Sequence, residues 1–66
     1  MRIQLNGEEQ TFDGVATVAA LVARLELDPR KVAVERNLEI VPRSTYGDTP
    51  VVDGDRIEIV TFIGGG

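Results

Sequence analysis

The chain has 66 residues, 42% of them hydrophobic, with a net charge of −4 and neither cysteine nor histidine. Disulfides, zinc sites and the Cys/His or Ser/His/Asp catalytic sets are therefore excluded, and so is the side chain that most often moves protons near neutral pH. The acidic balance argues against nucleic acid, whose phosphates call for a basic face.

MRIQL alternates, with Met1, Ile3 and Leu5 on one face and Arg2 and Gln4 on the other, which predicts a half-buried strand. Asn6-Gly7 is a strong hairpin signal, because a type I′ turn needs positive φ at both central residues. EEQTF then reads as the return strand, polar enough for a partly exposed edge. Asp13-Gly14 ends it. Thr17 is the expected helix N-cap, and Val18, Leu21, Val22 and Leu25 recur on one helical face. Asp28-Pro29 is the expected stop, since a residue before proline avoids the α region.

VAVE, Val32 to Glu35, predicts a short strand, and EIVP, Glu39 to Pro42, another, joined by a turn at Arg36–Leu38. Pro42 has no N–H to donate and belongs at an edge or a strand end. RSTYGDTP reads as a polar loop with room for one helical turn, and Asp53-Gly54-Asp55 as a tight turn. RIEIVTFI is the last and longest strand, followed by Gly64, Gly65 and Gly66.

A hairpin, one crossing helix and a long final strand predict an α+β chain of the β-grasp, ubiquitin-like type. It should have a mixed sheet of about five strands packed on one helix, with the first and last strands central and parallel, as the long connection between them permits. The expected division is a β-grasp domain over residues 1–63 and a flexible glycine tail over residues 64–66. The longest apolar run, VAALVA, is far short of the roughly 20 residues that span a membrane. MRIQLNG is too short and too polar for a signal peptide. Together with the missing cysteines, these features make a soluble cytoplasmic protein the expectation.

In the last strand Ile57, Ile59 and Thr61 share one face, and Arg56, Glu58, Val60 and Phe62 the other. With the first set on the helix, Val60 and Phe62 stand exposed beside the tail and are candidate docking residues. A standard interface covers ~800 Å² per partner, about a fifth of the ~4,100 Å² expected for a chain this small. That suits an adaptor and leaves little room for a separate active site. Three glycines reach about 10 Å and carry no Cβ, so they could thread a narrow channel and present the carboxylate of Gly66. A carboxylate has no good leaving group and must be activated, for which ATP is suited. GxxxxGK[ST] does not occur, so activation falls to a partner. Arg43 reads as a solvated charge, Tyr46 as loop packing, and Asp48, Asp53 and Asp55 as turn residues rather than a calcium site.

The stretches MRIQLNG, TVAALVARL, Asn37 to Arg43 (NLEIVPR) and Asp53 to Val60 (DGDRIEIV), with the final Gly65-Gly66, together resemble the ThiS family of sulfur carriers in thiamine biosynthesis, over nearly the whole chain. Gly64 is the one visible variation. The resemblance implies a non-enzymatic carrier that binds no cofactor itself. A ubiquitin-activating-like adenylyltransferase would consume ATP to adenylate Gly66. A cysteine-desulfurase relay would supply sulfur to form a thiocarboxylate, and thiazole synthase would receive that sulfur. Gly66 would carry the chemistry, with Gly64 and Gly65 as the threading arm. Other readings of the same fold are a carrier like the small subunit of molybdopterin synthase, whose members are usually longer, a protein modifier joined to lysines, or a plain binding module. The fate of the tail separates them.

Overall fold

The structure is a computed structural model and describes residues 1–62. The elements run β1 (Arg2–Leu5), β2 (Glu8–Thr11), α1 (Val18–Arg24), β3 (Val32–Arg36), β4 (Glu39–Val41) and β5 (Arg56–Thr61), with short 3₁₀ turns at Pro29–Lys31 and Arg43–Thr45. The sheet order is β2-β1-β5-β3-β4. β1 and β5 are parallel neighbours, Leu5 opposite Ile57, and the other pairs are antiparallel. This is the expected β-grasp arrangement.

Each element follows from local chemistry. Asn6 and Gly7 sit at φ 50° and 82°, the type I′ geometry that the pair favours. Alternation in β1 and β5 sends Ile3, Leu5, Ile57 and Ile59 to the face covered by α1, where they meet Val18, Leu21 and Val22. Thr17 caps α1 by accepting from the Ala20 N–H at 3.1 Å. The two N–H groups that helix geometry leaves free before it are met by remote carbonyls: Val18 donates to Thr49 and Ala19 to Tyr46, both at 2.9 Å. The polar loop after β4 thus completes the start of the helix, and Tyr46 packs beneath it, buried.

The helix ends four residues before the Asp28-Pro29 stop read from the sequence. Glu26 turns left-handed at φ 60°, its N–H bonds the Ala23 carbonyl at 3.0 Å, and the Leu27 N–H reaches back to Val22 at 3.1 Å. These paired bonds make a Schellman motif, normally built on glycine. The reversal packs Leu25 and Leu27 against the core, a gain that an uninterrupted helix would forgo. Asp28 has a different role: its carboxylate accepts from the Arg30 N–H at 2.9 Å and caps the Pro29–Lys31 turn.

Candidate functional site

The helix covers one face of the sheet and leaves the other open. Cross-strand partners share a face, so the register assigns its occupants. Gln4 stands beside Arg56, Val60 beside Ala33, and Glu58 beside Glu35, which in turn faces Ile40. Val60 is 61% exposed, Phe62 49% and Ile40 79%. The alternation expected of the last strand is therefore present, with Val60 and Phe62 outward and Ile57 and Ile59 in the core. The Phe62 N–H donates to the Lys31 carbonyl at 2.8 Å, which carries the β3–β5 pairing to the last described residue. Gly64, Gly65 and Gly66 lie outside the described residues.

Two features of this face escaped sequence reasoning. The sequence places Ile40 in the short strand EIVP without assigning its face. Its exposure follows from β4 lying at the sheet edge with Val41 as the inward residue. The second feature is Glu35 directly opposite Glu58. Like charges at such positions repel, and the Arg56–Glu58 ion pair, 3.8 Å apart and exposed, relieves little of it. The open face thus combines the apolar side chains Val60, Phe62 and Ile40 with an acidic pair that one exposed ion pair only partly offsets.

Polar side chains with remote partners hold this face in place. The Asn6 side chain continues the β1 edge as a backbone would, accepting from Ile59 N–H at 2.8 Å and donating to Ile59 C=O at 3.2 Å. Asn37 braces the β3 side of β5 with its side chain and its backbone together: its side-chain oxygen accepts from Arg56 N–H at 2.9 Å and its backbone N–H donates to Arg56 C=O at 2.7 Å. Asp55, read from sequence as a turn residue, is a buried hub. It accepts from Arg36 Nε at 2.8 Å and Nη2 at 3.3 Å, from Asn37 Nδ2 at 3.0 Å and from Val52 N–H at 2.9 Å. Burial opposes its ionisation, but the Val52 amide, Asn37 and Arg36 together hold its carboxyl below the usual carboxylate range. The Asp28 carboxyl is lowered to about 2 by its hydrogen bonds from the Arg30 side chain and N–H. Among the described residues, no group of three or more His, Cys, Asp or Glu side chains converges as metal ligands. Two surface depressions among the described residues, about 340 and 370 Å³, lie by Arg2 and Asp53 at the opposite end of β5 from Phe62.

A family model, the ThiS family, matches residues 3–66. The chain belongs to the ThiS family. Its curated relatives include the sulfur carrier protein ThiS of Bacillus subtilis, 40% identical over 65 residues, with 97% of this chain and 98% of the relative covered. Two others are named thiazole synthase: one from Paramagnetospirillum magneticum, 59% identical, and one from Magnetococcus marinus, 47% identical. Each matches all of this chain, which spans only 20% of their length. Among solved structures, the crystal structure of a thiamine biosynthesis protein (ThiS) from Geobacter metallireducens superposes with a TM-score of 0.85 at 36% identity, covering both chains completely. Placed on the ThiS fold, the exposed residues Val60 and Phe62 lie at the end of β5 that leads toward Gly66.

Proposed function

We propose that this chain is a sulfur carrier for thiamine biosynthesis, with the C-terminal carboxylate of Gly66 as its reactive group. The carboxylate attacks the α-phosphorus of ATP on a ubiquitin-activating-like adenylyltransferase, expelling pyrophosphate and leaving an acyl-adenylate. A persulfide of a cysteine-desulfurase relay then displaces AMP to give an acyl disulfide, and attack of a second relay thiol on that S–S bond releases the thiocarboxylate and leaves a disulfide on the relay. Thiazole synthase takes up that sulfur for the thiazole ring. Gly64 and Gly65 thread the carboxylate into each partner, because residues without a Cβ neither fill a narrow channel nor crowd the carbonyl.

The observation that carries the reading is the open end of β5. Val60 and Phe62 stand exposed there, on a chain whose match to the ThiS family runs through residue 66. The relatives named thiazole synthase, each with a segment matching the whole chain, support that enzyme as the acceptor. The Glu35–Glu58 pair adds a chemical constraint: a docking partner with an apolar centre and a cation at its rim would relieve the repulsion, which the free domain retains.

The test is the intact mass of the untagged protein incubated with ATP, its adenylyltransferase and a sulfur donor. A species heavier by the difference between sulfur and oxygen, consumed by a thiocarboxylate trap, is expected. A variant with one bulky residue added after Gly66 should fold normally and stay uncharged. Normal sulfur transfer by that variant, or no mass change in the unextended protein, would refute the proposal.

A further inference from the structure

Arg43 lies in the NLEIVPR stretch and reads from the sequence as a solvated charge, but the structure gives it defined partners. Extending the β3–β4 register beyond the Val34–Val41 pair would bring Arg43 opposite Val32. Pro42 ends β4 instead, and residues 43–45 curl into a 3₁₀ turn. Val32 is 1% exposed, and without a strand partner its carbonyl would lack a donor. Side chains replace the missing strand: Tyr46 donates to that carbonyl at 3.2 Å and Arg43 Nη2 at 3.4 Å. The Arg43 Nε donates to the Pro29 carbonyl at 3.0 Å. On the other side of the same segment, the Lys31 carbonyl accepts from Phe62 N–H. Residues 29–32 are thus clamped between the Arg43 fork and the end of β5. The Asp28–Arg30 bonds hold the turn only locally, across two positions, whereas Arg43 ties it to the far side of β4, across 14.

We propose that Arg43 is a positioning residue for the C-terminal segment, holding the 29–32 turn where the Lys31 carbonyl anchors Phe62 and so fixing the point from which the chain continues toward Gly66. The inference rests on the carrier reading for its consequence in transfer, and on the hydrogen bonds alone for its consequence in the free protein. Its path runs through backbone, so it needs the two-pronged guanidinium rather than the charge: lysine reaches one carbonyl, and methionine neither.

Two variants of the full chain test it, Arg43→Met and Arg43→Lys, each first shown to be folded by circular dichroism. In native-state amide exchange, Phe62 should lose about tenfold protection in Arg43→Met and less in Arg43→Lys, while Glu58 and Val60 change only with global stability. In adenylation by the activating enzyme, kcat should fall about tenfold or more, and by more than KM rises, because the reactive end is misplaced while Val60 and Ile40 of the docking face are untouched. Unchanged Phe62 protection in both variants overturns the proposal, and so does unchanged kcat. A rise in KM at constant kcat, absent in Arg43→Lys, would also overturn it, because Arg43 would then be a contact for an acidic partner. Failure of the unaltered protein to be adenylated would sink the carrier reading instead, and the exchange measurement would still decide the role of Arg43.

Discussion

Replacing Asp55 with asparagine keeps the shape of the side chain and removes its charge. One carboxylate oxygen becomes an NH₂ group, facing Arg36 Nη2 and Asn37 Nδ2 in one orientation or Arg36 Nε and the Val52 N–H in the other, so two of the four donors around it meet another donor. Breaking a buried ion pair by removing one partner costs about 3–5 kcal/mol. The Arg36 side chain is 28% exposed and can recover some hydration, which places the expected loss near the lower limit, about 3 kcal/mol. In a domain of this size that lowers the melting temperature by roughly 12–24 °C. Urea titration of both proteins measures it directly. The difference should depend on pH with a definite sign. The carboxyl of Asp55 is lowered in the folded state, so its contribution is complete above the unfolded value of ~3.9 and is lost as pH falls through the folded value. The gap between wild type and Asp55→Asn should therefore close on acidification. A loss below about 1 kcal/mol at neutral pH, or a gap that widens toward low pH, would show that the network is not what holds the start of β5. Asp55 is about 23 Å along the strand from Phe62 at ~3.3 Å per residue, so charging of the tail at low temperature should be unaffected.

Two further outcomes follow from the same geometry. Glu26 occupies a left-handed position that costs a side-chain-bearing residue ~1 kcal/mol or more, so Glu26→Gly should stabilise the protein by about 0.5–1 kcal/mol in denaturant titration once the greater freedom of unfolded glycine is deducted; a loss would mean that its side chain supports the helix end. Phe62→Ala and Ile40→Thr should each weaken binding of the activating enzyme about tenfold or more, read by calorimetry, while shifting the unfolding midpoint little, since Ile40 is 79% exposed and Phe62 49%; a collapse in stability with binding intact would put them in the core and remove them from the docking face.

The sequence alone determined whatever depends on neighbours along the chain. Alternation in MRIQL and RIEIVTFI set the inward and outward faces of β1 and β5, and Asn6-Gly7 set a turn that few other dipeptides can form. Thr17 and the apolar residues that follow it placed the helix start. Pro42 closed β4 because it has no N–H to give. Tertiary structure decided whatever depends on residues far apart in the chain. Asn6 finds Ile59 at a separation of 53 residues, Asp55 finds Arg36 at 19, and Arg43 finds Pro29 at 14. No local pattern encodes those meetings, so these side chains read as turn formers or solvated charges until the sheet assembles. The early helix stop belongs with them, because Leu25 and Leu27 gain from leaving the helix only once there is a core to pack against. Ile40 was hidden for the same reason: an apolar residue in a short strand becomes exposed when the sheet order puts that strand at the edge, and the sheet order is a property of the whole fold.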